Sequence, residues 1–367
     1  MKIGLIVLSI GAFGEKGFYN LQEVGLAKAL DKYCEEVKIF KLVCNNQKSA
    51  KERISGTRHS EIFYIPSKVL GTNGIPNCRK FDSSLDAYIC FSDTQFMFPN
   101  VYHWAKKNNI KIFPYLGVTK SHSTNPFKSI IINTLFSRNV KRYRKCTCFA
   151  KTPAVQKFLQ SNKVAKVTLT PVGLDLSLTK SDYSTVSPVG LKQKYGYNSS
   201  DKVLLFIGRL TAEKEPLRLV DIFNKLLKKD KSYRLLVVGS GELKSTITAK
   251  IKEYQLADKI QMIDRIANYD IWELYCLADT FINLNRQEIF GMAILEAMYY
   301  GCKVVAQKAP GPDLIIENGI SGYLTQNDEE MVQMIHNGRI EKQKASRRVI
   351  DHFTWEVSAK AMMEAMS

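Results

Sequence analysis

The chain alternates short apolar runs with segments in which apolar residues recur every three or four positions. The short runs predict buried strands, and the longer period predicts amphipathic helices. In the first half the predicted strands are 2–10, 36–43, 87–91, 111–118 and 147–152, with helices such as 20–33 and 101–108 between them. In the second half the predicted strands are 202–208, 233–241, 259–264, 280–285 and 302–307, with helices that include 217–229, 271–279 and 292–301.

Strands that alternate with helices predict an α/β fold, in which helices wrap a mostly parallel sheet. The pattern occurs twice, so we expect two Rossmann-like, doubly wound domains that face each other across a cleft. The domain boundary is predicted in TLTPVGLDLSL, residues 168–178, because a proline, a glycine and a loose polar stretch meet there. We assign 1–172 and 173–350 to the two domains, and 351–367 to a helix that packs back on the first.

The totals exclude some classes of protein. No run of about 18 apolar residues predicts a membrane span, and the apolar N-terminus leads into a helical pattern, so we interpret it as a first strand and not as a signal peptide. The eight cysteines are scattered without any CxxC, which predicts neither a zinc site nor disulfides and is typical of a reducing compartment.

Charge distinguishes the two halves. Residues 1–176 hold 27 Lys and Arg against 11 Asp and Glu, whereas residues 177–367 hold 26 against 24. No acidic residue occurs between Asp93 and Asp175, while 14 basic residues do. The first half is therefore expected to lie near something negative.

Two segments follow strands of the second half and end in turns. FIGRLTAEKEP carries Arg209 and Lys214, two cations that could hold a diphosphate beside a helix N-terminus. The alternative is a solvated basic loop. VVGSGEL carries Gly239, where the backbone could approach a ligand closely, although the same glycine suits an ordinary strand-to-helix turn.

Two glutamates stand in the apolar stretch NRQEIFGMAILEAMYYG. Glu288 is predicted in the loop after strand 280–285, and Glu296 about two turns into the next helix. The amides of Phe290, Gly291 and Met292 would lack partners at the start of that helix and could meet a phosphate or sugar oxygen. A carboxylate can accept two hydroxyl protons at once, which suits a vicinal diol. The alternative is that both glutamates merely edge a helix.

These motifs together resemble the retaining glycosyltransferases of family 4, which have the GT-B fold. The resemblance rests on the E-x7-E pattern within EIFGMAILEAMYYGCKVVA, on GRLTAEK, VVGSGE and TPVGLD, and on GPDLIIENGISGYL. It implies that Arg209 and Lys214 hold the diphosphate of a nucleotide-sugar donor. It further implies that Glu296 binds the ribose and that Glu288 contacts the transferred sugar.

The first half resembles the family more loosely. GAFGEKGFYN is similar to the glycine-rich loop that approaches donor and acceptor, which makes Gly14 and Gly17 candidates. His122, after strand 111–118, stands near where the family often places a histidine beside the transferred sugar, but its register departs from the commonest pattern.

Alternative classes of protein explain less of the chain. A dinucleotide-dependent dehydrogenase is rejected because the N-terminal glycines are spaced G-x-x-G-x-x-G and the next strand ends without an acid. A nucleic-acid-binding protein would use the basic half, but no groove-reading helix or base-stacking motif is found. A catalytically inactive GT-B protein that only binds partners is the remaining alternative.

We therefore predict a hexosyltransferase-type enzyme that takes a nucleoside-diphosphate sugar, most simply a UDP-sugar. The resemblance implies that it retains the anomeric configuration. No cofactor and no metal ion are predicted, and no DxD triplet is present. The expected acceptor is a lipid-linked or cell-surface glycan. In NPFKSIIINTLFSRNVKRYRKC, residues 125–146, an apolar block precedes clustered cations, which favours docking on an anionic membrane over an ordinary core helix. The expected location is cytoplasmic, peripheral on the inner face of the cell membrane.

Overall fold

The computed structural model describes residues 1–10, 21–70, 73–93, 96–119, 126–267 and 269–367. These residues form two compact units. The first unit runs to Gly173 and also contains Trp355–Ser367, and the second unit is Leu174–Thr354. The chain therefore divides next to the predicted boundary, and residues 351–354 belong to the second unit.

The first unit consists of a sheet and the helices that connect its strands. Its elements, in chain order, are β1 (Lys2–Val7), α1 (Gln22–Leu30), β2 (Glu36–Cys44), β3 (Ala50–Arg53), β4 (Ser60–Ser67), β5 (Val69–Leu70), β6 (Asn73–Gly74), β7 (Ala87–Phe91), α2 (Phe98–Lys107), β8 (Lys111–Leu116), α3 (Pro126–Tyr143), β9 (Thr147–Ala150), α4 (Pro153–Ser161) and β10 (Lys166–Leu169).

The second unit repeats this plan, after which the chain adds a last helix to the first unit. The elements are α5 (Pro188–Lys194), β11 (Lys202–Ile207), α6 (Pro216–Lys229), β12 (Tyr233–Val238), α7 (Lys244–Glu253), β13 (Ile260–Ile263), α8 (Ile271–Leu277), β14 (Thr280–Asn283), α9 (Met292–Tyr299), β15 (Lys303–Gln307), α10 (Pro310–Ile315), β16 (Tyr323–Thr325), α11 (Asp328–Asn337), α12 (Lys342–His352) and α13 (Trp355–Met366).

Both sheets have a topological switch point. In the described chain the strand order is β10-β9-β8-β7-β1-β2-β4-β3 in one sheet and β13-β12-β11-β14-β15-β16 in the other. Within these two sheets all pairs are parallel except β3 with β4, and β5 and β6 form a separate antiparallel pair. Each chain path starts at an inner strand, adds strands on one side and then reverses, so the switch points lie between β1 and β7 and between β11 and β14. Ligands of such sheets bind outside the carboxyl ends of the strands at this point.

The central strands are apolar over most of their length, as is usual for strands of a sheet that helices cover on both faces. Ile3, Leu5 and Ile6 of β1 are fully buried, as are Leu205 of β11 and Phe281 of β14. The predicted alternation of strands and helices is confirmed. Several strands end earlier than predicted, at Val7, Leu116, Val238 and Asn283, because the residues that follow turn away to form the loops that carry polar groups.

Helix α13 is held within the first unit by specific contacts. The ring of Trp355 packs where a side chain at Gly25 of α1 would lie, since a Cβ there would come within 2.3 Å of Trp355 Nε1. Glu356 accepts a hydrogen bond from Lys32 Nζ at 3.1 Å, and Ser358 Oγ donates to the Pro171 carbonyl at 2.6 Å. Within the described part of the chain, none of the helices combines the length and the apolar character that crossing a bilayer demands.

Candidate active site

Two loops of the second unit flank its switch point. One follows β11 and contains Arg209 and Lys214; the other follows β14 and contains Glu288. The two strands are neighbours in parallel register, with Leu204 opposite Thr280, so both loops leave the same edge of the sheet. The sheet order thus places the predicted residues together, although the two loops lie far apart in sequence.

The loop after β11 is held by backbone contacts with the loop after β12. Gly208 N donates to the Val238 carbonyl at 3.0 Å, and Leu210 N donates to the Ser240 carbonyl at 2.9 Å. A Cβ at Gly239 would lie 1.9 Å from the Gly208 carbonyl oxygen, and Gly239 has a φ of +145°. The conformation and the lack of space both require glycine here. The structure thus explains Gly239 by contact between two chain segments, without a ligand.

Lys214 and Glu288 form an ion pair at the centre of this edge. Lys214 Nζ lies 2.7 Å from Glu288 Oε2, and only 22% and 15% of the two side chains remain exposed. The amides of Asn283 and Asn285 lie 3.4 Å from the same oxygen. Among the described residues no hydrogen bond reaches Oε1 of Glu288. The carboxylate is therefore fixed through one oxygen and offers the other as an acceptor.

Asn283 and Asn285 are functional candidates that the sequence reading missed. Both are buried, and they stand at alternate positions at the end of β14, so their side chains lie on the same face of the extended chain. Asn283 Oδ1 accepts from the Asn285 backbone, and Asn285 Oδ1 accepts from Gln287 N. Two buried amides at alternate positions of an apolar strand are the available sequence signal, since buried polar groups must find partners.

Arg209 has a different environment from Lys214. Its side chain is 65% exposed and its guanidinium pairs with Glu213 in the same loop. The sequence predicts that both cations hold a diphosphate. In the structure each already has a carboxylate partner, so a bound diphosphate would compete with Glu213 at Arg209 and share Lys214 with Glu288.

The loop after β14 ends in a turn that only glycine adopts readily. Gly291 has a φ of +105°, and a Cβ there would lie 2.9 Å from Ile294 Cδ1. Its carbonyl accepts from Ile294 N, so α9 begins at Met292 with Gly291 as the N-cap. In the described chain the amides of Phe290, Gly291 and Met292 have no hydrogen-bond acceptor, and they lie at the positive end of the helix dipole.

A close contact with the next helix fixes the same loop from its other side. Gly311 N, at the start of α10, donates to the Glu288 carbonyl at 2.8 Å. A Cβ at Gly311 would lie 2.1 Å from the Phe290 carbonyl oxygen, so the two chain segments are in backbone contact. The backbone of Glu288 is thus held by α10 while its side chain is held by Lys214.

Glu296 belongs to a tyrosine-rich cluster. Tyr275, which is fully buried, donates its hydroxyl proton to Glu296 Oε2 at 2.7 Å, and its ring stacks on Tyr300 with centroids 5.9 Å apart. Burial of the carboxyl group raises the pKa of Glu296 to about 7, against the opposing effect of the Tyr275 hydrogen bond. The residue as a whole is half-buried.

The first unit carries its own partly buried ion pair at the carboxyl edge of its sheet. Lys151, after β9, donates to Asp93 Oδ2 at 2.7 Å, and its ammonium lies 4.8 Å from the centroid of the buried Tyr115 ring. Asp93, after β7, also accepts from the backbone amides of Gly117 and Val118. The sequence reading missed this pair because its members are remote in the chain.

The remaining predicted residues cannot be compared. Gly14, Gly17 and His122 lie outside the described residues. In the part of the chain that the structure describes, His, Cys, Asp and Glu do not form any group of three or more that could hold a metal ion.

Comparison with known proteins agrees with this geometry. The family model "Glycosyl transferases group 1" matches residues 191–354, which include Arg209, Lys214, Gly239 and both glutamates. Residues 191–354 therefore carry the sequence pattern of that family. The match covers nearly all of the second unit and includes its switch point.

Relatives of known name match parts of the chain. The chain is 25% identical over 182 residues to alpha-monoglucosyldiacylglycerol synthase of Acholeplasma laidlawii, which covers 49% of this chain and 46% of that protein. It is 30% identical over 134 residues to N-acetyl-alpha-D-glucosaminyl L-malate synthase of Bacillus anthracis, covering 36% and 34%. The matches thus span less than half the length of either relative.

Solved structures match over the whole chain. Anabaena HepE in complex with UDP and glucose superimposes with a TM-score of 0.73 at 17% identity, covering 100% of this chain and 99% of HepE. Sucrose-phosphate synthase from Thermosynechococcus elongatus gives a TM-score of 0.74 at 16% identity, covering 100% and 98%. These similarities establish the fold: the chain has the GT-B fold with two Rossmann-like domains, and the predicted fold class is confirmed.

Proposed function

We propose that this protein transfers a sugar from a nucleoside-diphosphate sugar, specifically a UDP-sugar, to a lipid-linked or cell-surface glycan acceptor with retention of configuration. One observation carries the proposal: the Lys214–Glu288 pair, with Asn283 and Asn285, lies at the switch point of the unit that matches the group 1 family. UDP is bound in the solved structures of HepE, which supports the choice of nucleotide.

Lys214 and Arg209 are assigned to the diphosphate. As the bond between the sugar and the diphosphate breaks, negative charge grows on the leaving group, and fixed cations stabilise it in the transition state. Lys214 suits this role because Glu288 and the sheet edge already fix its ammonium, so little reorganisation is required. Arg209, whose side chain is exposed, would leave Glu213 and close onto the phosphates from the solvent side.

Glu288 is assigned to the transferred sugar. Its Oε2 is held by Lys214 and faces two amides, so Oε1 is directed by these contacts and can accept a sugar hydroxyl. The amides of Phe290, Gly291 and Met292 can donate to phosphate or sugar oxygens beside it. Together these groups would supply an acceptor and several donors to one sugar.

Glu296 is assigned to the ribose of the donor. Its ionised form accepts hydrogen bonds from the two ribose hydroxyls more strongly than the protonated form does, because both oxygens are then acceptors. Since burial raises the pKa of this carboxyl to about 7, the donor should bind more tightly as the pH rises through that value. Gly14, Gly17 and His122 remain predicted contributors from the first unit.

The acceptor assignment rests on α3 of the first unit. Phe127, Ile130 and Ile131 are exposed on this helix at 80%, 64% and 58%, whereas Phe136 and Tyr143 pack in the core. The apolar block therefore divides between the core and the surface. Five cations follow it, and none forms an ion pair with a carboxylate of the described residues: Arg138, Lys141, Arg142, Arg144 and Lys145. We propose that this surface docks the enzyme on the inner face of the cell membrane.

The function is tested by turnover with purified protein. A panel of UDP-, GDP- and ADP-sugars is incubated with membrane lipid extract, and release of the free nucleotide and labelling of the lipid are both measured. UDP release with one sugar, together with an α-linked product from an α-linked donor by NMR, supports the proposal. A protein that binds UDP yet transfers and hydrolyses no sugar would instead be the inactive GT-B binding protein.

Metal independence is tested in the same assay. Charge neutralisation is assigned to Lys214, Arg209 and backbone amides, so excess EDTA should leave the rate unchanged. Loss of activity in EDTA that Mg²⁺ or Mn²⁺ restores would contradict this assignment.

A further inference from the structure

The first unit contains an apolar cavity that the sugar chemistry does not use. It has a volume of about 520 Å³, within the range of about 300–1,000 Å³ that is usual for small-molecule sites. It is formed by the β5–β6 hairpin, the start of α2 and the outer side of α3. Its apolar walls are Leu70, Phe96, Met97, Ile131, Ile132 and Leu135.

The surface around this cavity is apolar as well. Leu70 and Ile131 are 50% and 58% exposed, so the cavity opens to the outside. Val69 adjoins Leu70, and Phe127 stands one turn before Ile131 on the same face of α3. A group of exposed apolar side chains of this kind indicates contact with an apolar partner.

Cations mark one end of the cavity. Arg138 lines it, and Lys141 follows on the same face of α3 at helical spacing. Within the described chain neither side chain has a carboxylate partner. A hydrocarbon chain in the cavity could therefore carry an anionic head group that meets Arg138 and Lys141. A second copy of this chain fits less well, because it would bring the same cations and the same net charge of +18.

We propose that this cavity binds one hydrocarbon chain of an anionic lipid, whose phosphate lies at Arg138 and Lys141. The inference rests on the proposed function only in identifying that lipid as the acceptor. It gives the membrane-docking surface a specific site: the exposed face of α3 meets the bilayer, while the cavity takes a single chain out of it.

The test uses soluble single-chain probes below their micelle concentrations. Octyl, decyl and dodecyl phosphate are titrated into the full-length protein by calorimetry. Affinity should rise about fourfold per added methylene and then level off once the cavity is full. A flat surface gives no such plateau, so affinity that rises without limit, or absence of binding, overturns the proposal.

Two variants fill the cavity. Leu135→Trp should lower decyl phosphate affinity at least tenfold. Ile131→Trp should lower this affinity as well, and it adds the larger side chain at an exposed wall position away from the core. If Leu135→Trp misfolds, the affinity of Ile131→Trp tests the proposal. Unchanged affinity in Ile131→Trp contradicts the assignment. UDP binding, measured on the same samples, should stay intact, so failure of the lipid site is distinguishable from failure of the proposed enzyme.

The head group is tested separately. Arg138→Gln should weaken decyl phosphate about tenfold and leave neutral decyl maltoside unchanged, whereas the matched control Arg144→Gln, outside the cavity lining, should change neither. Equal effects of the two variants would overturn the phosphate contact. Concentration-dependent dimerisation that Ile131→Trp abolishes, without any binding of alkyl phosphates, would assign the surface to a second copy and overturn the lipid proposal.

Discussion

The carboxyl edge of the second sheet and the outer face of α3 use charge in opposite ways. At the sheet edge, Lys214 is largely but not fully buried and is held 2.7 Å from Glu288, so the charges have fixed positions before any ligand arrives. On α3, Lys141 and Lys145 stand exposed and have no carboxylate partner among the described residues. The first arrangement suits chemistry, where geometry decides the rate. The second suits attraction to an extended negative surface, where the number of positive charges matters more than their positions.

The largest expected effect comes from removing the fixed cation. Lys214→Ala should lower kcat by ~10²–10³, the usual result of losing one preorganised charge-stabilising group. Lys244→Ala is a matched control, because Lys244 is an exposed lysine paired with Asp264 and should retain full activity. Turnover is measured by UDP release. Near-normal turnover of Lys214→Ala would contradict the assignment of a catalytic role to the fixed charge at the sheet edge.

The diffuse cations should act more weakly and additively. Lys141→Gln with Lys145→Gln should lower liposome affinity by roughly 30-fold, since each basic residue near an anionic surface contributes ~1 kcal/mol. The pair Lys228→Gln and Lys229→Gln in α6, also exposed, changes the charge equally and should have no effect. Sedimentation with anionic vesicles gives the answer, and binding that is insensitive to both salt and these substitutions contradicts the docking surface.

Substitutions of the two glutamates should affect different ligands. Glu296→Ala should weaken free UDP and donor alike by about tenfold, because a hydrogen bond to a charged group is worth ~1.5–3 kcal/mol. Glu288→Ala should spare free UDP and impair transfer. Calorimetry on both variants tests this division. Identical losses for both ligands would show that the assignment of ribose to one glutamate and sugar to the other is wrong.

The last expected effect is on stability and not on turnover or binding. Because the folded-state pKa of Glu296 is raised from 4.5 to about 7, the folded protein holds this proton more tightly than the unfolded chain. Ionisation therefore reduces the free energy of unfolding as the pH rises from about 4.5 to 7, by at most about 3 kcal/mol. Glu296→Gln, which keeps an acceptor for Tyr275, should remove this loss. Denaturant melts of both proteins at pH 5 and 8 measure it.

The fold was predictable because apolar runs and helical periods are local properties of the chain. Strand β4 was missed: it reads SEIFYIPS, and Pro66 within it argues against a strand. Tertiary pairing with β2, where Val43 lies opposite Pro66, overrides that local preference. For α3 the sequence does not show which apolar residues face the core and which face the surface, since that depends on the elements that pack against the helix.

The candidate site was predictable where its residues share a short motif. Arg209, Lys214, Glu288 and Glu296 stand out by residue type and spacing. Asn283 was missed because an amide at a strand end has no special pattern, and Lys151 was missed because its partner Asp93 is 58 residues away. The Tyr275–Glu296 contact likewise depends on how α8 packs on α9.

The backbone contact between Gly239 and Gly208 restricts how this sequence can change over generations. Any substitution at Gly239 inserts at least one carbon atom where the Gly208 carbonyl oxygen already lies, 1.9 Å from the position of that carbon. Every single substitution at this position is therefore destabilising, and the position cannot change through a series of nearly neutral substitutions. Saturation mutagenesis should recover glycine alone at 239, while the neighbouring exposed Ser240 accepts many residues. The loop that carries Lys214 and the turn at Gly239 are thus expected to be retained together in evolution.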